Sequence, residues 1–153
     1  LEARLLQTLQ IRPGDRVLEI GTGSGYLTAC LSWLSGDVTS IEIYEDFTLA
    51  AAERLRERGI DHVTLLTGDA MAGPVAGGPF DVIAVTGALP AATDHFERQL
   101  KEGGRLFQVT GKGAAAEAQL VTRIRDDVYR RETLFETALT PLVNAAQPNA
   151  FVF

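Results

Sequence analysis

The sequence has little cysteine and no long apolar run. Cys30 is the single cysteine among 153 residues, so an internal disulfide is excluded and a reducing, cytoplasmic setting is expected. Its place in an apolar segment favours a buried thiol over a nucleophile. No apolar run approaches the ~20 residues that a bilayer span requires, and the first residues alternate charge with leucine, unlike a signal peptide. We therefore expect no association with a membrane.

Basic residues and histidines are also scarce. The chain has 14 Lys and Arg against 20 Asp and Glu, a formal net charge of -6, and no basic run gathers on one face. This balance disfavours nucleic acid as a partner, because such binding neutralises many phosphates. His62 and His95 lie far apart, without ligand-like spacing to Cys, Asp or Glu, so no metal site is predicted.

The length and the first residues predict how the chain is organised. With 153 residues and 46% hydrophobic content, it can bury one core, so residues 1–153 are predicted to form a single domain. The chain opens on Leu1 inside a helical pattern, with Leu1, Leu5 and Leu9 on one face. We therefore expect that a segment upstream of Leu1 belongs to the same protein.

Strand-like and helix-like segments alternate along the chain. Five strands alternating with helices favour a mostly parallel sheet, and two further β-prone runs separated by Asp126-Asp127 predict an antiparallel C-terminal hairpin. The expected fold is a Rossmann-like, three-layer α/β sandwich around seven strands. No position is predicted for residues 151–153. The predicted strands are 16–20, 38–43, 62–67, 80–85, 105–110, 119–125 and 128–135, and the main helices are 27–34, 45–58 and 91–101.

A glycine-rich turn joins the first strand to the next helix. Glycine lets a ligand approach the backbone closely, and ligands of open α/β sheets bind at this carboxyl edge. The alternative is that the glycines only permit a tight turn. The dinucleotide fingerprint needs a third glycine at the position of Tyr26. The turn includes Glu19, Gly21, Thr22, Gly23, Ser24 and Gly25.

The Gly-x-Gly-x-Gly spacing, with Glu19 two places before the first glycine, is similar to the cofactor loop of class I methyltransferases. That resemblance implies S-adenosyl-L-methionine as cofactor and S-adenosyl-L-homocysteine as product. Glu42, 21 positions after Gly21, is suited to accept hydrogen bonds from ribose hydroxyls, although it could instead be a solvated strand-end charge. Ile43 could pack on the adenine.

A second acidic segment follows the third strand at the same edge. In Gly68-Asp69-Ala70, the carboxylate of Asp69 could accept from the adenine amino group while the backbone of Ala70 contacts a ring nitrogen. The alternative is that Asp69 caps the turn that follows it.

The chemistry of methyl transfer places few demands on the protein. It is an in-line displacement, and a carboxylate acceptor is already a nucleophile, so no general base is required. Enzymes that methylate exocyclic amino groups of bases usually carry Asn/Asp-Pro-Pro-aromatic after the fourth strand. This chain has Thr86-Gly87-Ala88-Leu89-Pro90 there, which disfavours that class.

Three segments together resemble the protein-L-isoaspartate O-methyltransferase family: residues 17–26 (VLEIGTGSGY), 80–90 (FDVIAVTGALP) and 100–106 (LKEGGRL). The resemblance implies a sheet whose last two strands are exchanged relative to most methyltransferases. It also implies methylation of the carboxylate of isoaspartyl residues in damaged proteins or peptides. The resemblance assigns Thr86 to the cofactor site, and Thr86, Gly87 and Ala88 to the acceptor side.

The match is weaker on the acceptor side. The family's serine-containing loop would precede Leu1, and Gly87 and Leu89 replace alanines. The family's late Pro-Val-Arg-Phe-Val-Pro-Leu stretch is only partly matched, by Thr140-Pro141-Leu142. Three alternatives therefore stay open: a methyltransferase acting on a small carboxylate or another acceptor, a cofactor-binding module without catalysis, and an NAD-dependent oxidoreductase.

Overall fold

A computed structural model describes residues 1–149 of the chain. Three α-helices and seven β-strands alternate along these residues, with two short 3-10 turns between the later strands. In chain order they are α1 (Glu2–Leu9), β1 (Arg16–Ile20), α2 (Tyr26–Ser35), β2 (Asp37–Glu42), α3 (Glu45–Glu57), β3 (Val63–Thr67), β4 (Phe80–Leu89), β5 (Leu100–Thr110), β6 (Glu117–Arg125) and β7 (Val128–Glu136), with 3-10 turns at Glu97–Gln99 and Gly113–Ala115.

The strands form one sheet in the order β3-β2-β1-β4-β5-β6-β7. Strands β1 to β5 pair in parallel, whereas β6 runs antiparallel to both β5 and β7. At this end of the sheet, β5, β6 and β7 lie side by side in the order of the chain. This order agrees with the exchange of the last two strands that the resemblance implies. The predicted α/β fold, a mostly parallel seven-stranded sheet with an antiparallel C-terminal hairpin, is confirmed. Residues 151–153 lie outside the described part of the chain.

All three helices pack on one face of the sheet. The leucines of α1 and α2 form a core there with β1, β4 and β5, because a helix places residues four apart on one side. Ala29 of α2 and Leu55 of α3 extend this layer towards β3. None of the helices among residues 1–149 is long and apolar enough to cross a membrane.

Irregular segments cover the opposite face. The helix predicted over residues 91–101 is wrong: this segment holds only the 3-10 turn Glu97–Gln99, and β5 already begins at Leu100. Phe96 and Leu100 are both buried, and their spacing of four imitates a helix. Leu100 instead pairs with Phe80 of β4, and the residues before Arg105 form a bulge. This pairing between distant residues overrides the local pattern.

Strand β4 is longer than predicted. The prediction ended it at Val85, but the strand continues to Leu89. Its neighbour β1 ends at Ile20, which pairs with Val85. The last residues of β4 therefore extend beyond the end of β1. Ala88 pairs there with Pro141, in a parallel bridge outside the named strands. A C-terminal segment thus runs over the carboxyl edge of the sheet, where the candidate site lies.

Candidate cofactor-binding site

A cavity of about 250 Å³ opens at the carboxyl ends of β1, β2, β3 and β4. It forms there because the ends of parallel strands meet at one edge of the sheet. Eight of the residues singled out from the sequence line it: Gly21, Glu42, Ile43, Gly68, Asp69, Ala70, Thr86 and Gly87.

Thr86 determines the geometry of the first loop glycine. Its Oγ1 donates a hydrogen bond to the carbonyl oxygen of Ile20 at 2.7 Å and lies 3.1 Å from that of Gly21. A Cβ atom at position 21 would overlap this hydroxyl, and the backbone φ of Gly21 is 94°. Only glycine fits both constraints. The hydroxyl of Thr86 thereby ties β4 to the loop.

Glu42 ties the loop to the end of β2. Its Oε2 accepts a hydrogen bond from the backbone N–H of Gly23 at 3.0 Å, and its Oε1 accepts one from Tyr44 at 3.2 Å. The residue is only 7% exposed, so it is not a solvated strand-end charge. A carboxylate has about four acceptor positions, so about two remain for ligand hydroxyls.

Asp69 caps a turn and also lines the cavity. Its Oδ1 accepts from the backbone N–H of Met71 at 2.8 Å, as the capping alternative required. Its Oδ2 accepts from the side-chain amide of Asn144 at 2.8 Å. The carboxylate therefore connects the end of β3 to the C-terminal segment.

Glu19 lies beneath the loop, away from the cavity. It is fully buried, and its Oε2 accepts hydrogen bonds from Thr28 Oγ1 at 2.5 Å and Ser40 Oγ at 2.6 Å. Ser40 Oγ also lies 2.6 Å from Thr22 Oγ1. Because Ser40 has one hydroxyl hydrogen, which it gives to Glu19, Thr22 must be the donor to Ser40. This chain of hydrogen bonds links the loop to β1, β2 and α2.

Burial also changes the acidity of Glu19. It raises the pKa of this carboxyl to about 7, against the lowering effect of its hydrogen bonds from Ser40 and Thr28. Its other oxygen, Oε1, has no hydrogen-bond partner among residues 1–149. An unpaired, buried oxygen favours the protonated, neutral form of the acid.

Four other predicted residues do not line the cavity. Thr22 is buried through its contact with Ser40, and Gly23 contributes its backbone N–H to Glu42. Ser24 and Gly25 lie at the start of α2 and line a separate depression beside Cys30. Cys30, expected to be buried, is partly exposed there.

Residues 140–143, here called the crossing segment, line the cavity and are paired with Ala88 at the end of β4. The backbone N–H of Ala88 donates to the carbonyl oxygen of Thr140, and the carbonyl oxygen of Ala88 accepts from the backbone N–H of Leu142, both at 2.9 Å. The side chain of Ala88 packs in the core on the helical face, so only its backbone contributes. Leu89, the other replacement of a family alanine, is buried in the core on the opposite face.

The crossing segment explains why glycine stands at position 87. A Cβ atom there would lie 2.5 Å from Leu142 Cδ2 and 2.8 Å from Leu142 Cγ, closer than real contacts allow. The four residues of the segment line the cavity. Its partial match to the late stretch of the family was the only sequence signal for it. For the roles of Ser40 and Thr28, the sequence held no signal except that both are polar residues in otherwise apolar elements.

Neither histidine lines the cavity. His95 Nε2 lies 2.7 Å from the carbonyl oxygen of Ala70, behind the cavity wall. His62 is partly exposed beside Asp61. Across the described residues, no three His, Cys, Asp or Glu side chains are grouped so that they could hold a metal ion.

Comparison with known proteins identifies the family. A model of the protein-L-isoaspartate (D-aspartate) O-methyltransferase family matches residues 1–147. The chain belongs to this family. The resemblance noted in residues 17–26, 80–90 and 100–106 is thereby confirmed.

Individual members and solved structures agree with the family match. Protein-L-isoaspartate O-methyltransferase 2 of Pelobacter propionicus is 40% identical over 146 residues, which cover 94% of this chain and 64% of that protein. A solved protein-L-isoaspartate O-methyltransferase superposes with a TM-score of 0.82 at 27% identity, covering 95% of this chain and 47% of the other. A methyltransferase of Thiobacillus denitrificans, in complex with S-adenosyl-L-homocysteine, gives 0.60 at 29% identity, over 71% of this chain and 46% of the other. The chain thus spans about 64% of the length of the first curated relatives that it matches.

Proposed function

We propose that this chain is one S-adenosyl-L-methionine-binding domain of a methyltransferase that esterifies the carboxyl group of L-isoaspartyl residues in damaged proteins or peptides. The observation that carries the proposal is the pair of carboxylates at neighbouring strand ends. Glu42 ends β2 and Asp69 follows β3, and both line one cavity beside the glycine loop. Family membership and the complex of the Thiobacillus protein with S-adenosyl-L-homocysteine support the same cofactor.

The residues of the cavity fit the parts of this cofactor. Glu42 keeps about two acceptor positions for the ribose hydroxyls. Asp69 could accept from the adenine amino group, and Ile43 and Met71 supply apolar surface for the adenine ring. Gly21, without a side chain, leaves the loop backbone open towards the cavity. Tyr26 stands where the dinucleotide fingerprint has its third glycine, which disfavours NAD.

When bound, S-adenosyl-L-methionine would supply the methyl group, with a C–O bond to the acceptor formed as its S–C bond breaks and S-adenosyl-L-homocysteine as the product. The protein has to place the acceptor oxygen ~3 to 3.5 Å from the methyl carbon and exclude water. Thr86 and Gly87 line this place. Pro141 and Leu142 add apolar surface beside them, since Leu142 packs against Gly87. An ionised carboxylate needs no general base, so the lack of one at this site is compatible with catalysis.

The acceptor side is the part of the site that departs most from the family pattern. Leu142 occupies the space that an alanine methyl group would fill at position 87. Glycine at position 87 makes room for this leucine, so the proposed isoaspartyl acceptor side keeps its apolar wall. The alternative is that Leu142 narrows the site towards a different carboxylate or small acceptor. A single cysteine in the sequence supports a reducing, cytoplasmic setting for either reaction.

Two measurements on the full-length protein test the proposal. Calorimetry should show binding of S-adenosyl-L-homocysteine and none of NAD, and the reverse result would overturn the cofactor assignment. Incubation with an isoaspartyl peptide and labelled cofactor should then transfer label, whereas the matched aspartyl peptide should stay unlabelled. Tight cofactor binding without transfer to the isoaspartyl peptide would show a different acceptor or a module without catalysis.

A further inference from the structure

The sheet face that lacks the expected helix carries polar side chains. On β5, Gln108 follows Leu106 by two places and so lies on the same face, and its cross-strand partner on β6 is Gln119. Arg131 of β7 lies opposite Val121 and shares that face. Both Leu106 and Val121 belong to the apolar core of this face. The core therefore gives way to polar groups towards the carboxyl end of β5.

Gln108 is buried without the partner that a buried amide requires. The residue is 2% exposed, and its Oε1 has no hydrogen-bond partner among residues 1–149. Buried amide groups are nearly always paired, because leaving one unpaired is unfavourable. A missing partner at a cavity wall thus points to a molecule that supplies it.

The polar groups surround an open cavity of about 630 Å³. Its charges are compensated: Glu97, 2% exposed, accepts from Arg131 Nε at 3.2 Å and also pairs with Nη2, and Asp94 pairs with Arg98. The remaining polar lining is neutral, from Thr93, Gln108, Thr110 and Gln119. A cavity of paired charges, amides and hydroxyls favours a neutral ligand with both donors and acceptors, such as the peptide main chain.

The polar cavity lies on the same sheet face and edge as the cofactor cavity. The core of this face includes Ile20 and Ile41, which line the cofactor cavity, as well as Leu106 and Val121. Thr110, at the polar cavity, pairs with Leu89 of β4. Leu89 is three residues beyond Thr86, a distance of at most about 10 Å, because β4 is irregular between Ala84 and Ala88. An extended peptide spans this distance with about three residues.

We propose that this polar cavity binds the main chain of the polypeptide acceptor, about three residues away from the residue that is methylated. The inference rests on the proposed function and extends it to a second contact with the substrate. Gln108 and Gln119 would pair with peptide N–H and C=O groups. Recognition of the main chain would be independent of the neighbouring side chains, as a repair reaction on many sequences requires.

Isoaspartyl peptides of graded length test the subsite in the full-length protein. The shortest peptides have at most one residue on each side of the isoaspartate. A second set is extended by three or four residues on the amino side, and a third by the same number on the carboxyl side. For Gln108→Leu, we expect KM to rise about fivefold to tenfold for one extended set, the effect of a lost hydrogen bond. KM for the shortest peptides and the affinity for S-adenosyl-L-homocysteine should not change.

The matched control is Gln7→Leu, on the exposed side of α1. If Gln108→Leu has the same KM as the parent for every peptide, short or extended, the subsite is overturned. The proposed function would still stand. A parent protein that binds S-adenosyl-L-homocysteine but methylates none of the peptides would overturn the proposed acceptor and the subsite with it. If Gln108→Leu fails to bind S-adenosyl-L-homocysteine, Gln119→Leu provides the same comparison from the neighbouring strand.

Discussion

The side chain of Leu142 lies directly over Gly87, so that a Cβ atom at position 87 would be 2.5 Å from Leu142 Cδ2. The two residues are far apart in the sequence and are held together by backbone hydrogen bonds between the crossing segment and Ala88. The substitution of glycine for the family's alanine and the leucine of the crossing segment therefore form one structural unit.

Gly87→Ala should destabilise the fold through this contact. Inserting a methyl group into an occupied space costs about 1–3 kcal/mol of unfolding free energy, measured by urea denaturation. In a Leu142→Ala background, Gly87→Ala should cost much less, because the overlap is removed. Gly73→Ala is the control, since a Cβ at position 73 would meet nothing within 4 Å. Additive effects of the two substitutions would show that the residues do not compete for space.

Removal of the Glu42 carboxylate should weaken cofactor binding. Glu42→Ala loses the acceptors for the ribose hydroxyls and for the N–H of Gly23, so affinity for S-adenosyl-L-homocysteine should fall by about 1.5 to 3 kcal/mol in calorimetry. Glu45→Ala, an exposed carboxylate in the first turn of α3, is the control and should bind as the parent does. An unchanged affinity in Glu42→Ala would remove Glu42 from the proposed site.

Asp69 and Asn144 allow the two contacts of one carboxylate to be separated. Asp69→Ala removes the proposed contact with adenine, the hydrogen bond from Asn144 and the cap on Met71, and should weaken S-adenosyl-L-homocysteine binding about tenfold or more. Asn144→Ala removes only the second contact, at an exposed position, and should change affinity less than about twofold. Equal losses in the two variants would mean that Asp69 acts by holding the C-terminal segment.

Glu19 should make stability depend on pH. Burial raises its pKa from 4.5 to about 7, so between these values the folded protein keeps a proton that the unfolded chain has released. The unfolding free energy therefore falls as pH rises through this window, by about 3 kcal/mol in total, and levels off above it.

The variant Glu19→Gln isolates this contribution, because glutamine is neutral at every pH and still offers an oxygen to Thr28 and Ser40. Relative to the variant, the parent should lose stability between about pH 4.5 and about pH 7.5 in denaturant titrations. Parallel profiles for the two proteins would show that Glu19 is ionised in the folded state throughout this range.

Much of the fold could be predicted from local patterns. Strands β1, β2 and β3 and helices α2 and α3 lie within two residues of their expected bounds, because apolar periodicity and the glycines between these elements are local signals. The same holds for the positions of Glu42 and Asp69, since the ends of parallel strands must meet at one edge. The hairpin of β6 and β7 also follows from two β-prone runs around Asp126-Asp127.

The sequence by itself thus determined the order of the strands and the edge of the sheet at which the candidate site lies. Only the tertiary structure decided how far β4 extends and what covers its end, because Ala88 is paired by residues near the end of the chain. It also decided that Leu100 belongs to a strand, through Phe80, and that Glu19 lies beneath the loop, through Ser40 and Thr28. Each of these outcomes depends on contacts between residues distant in sequence, which periodicity and spacing do not encode.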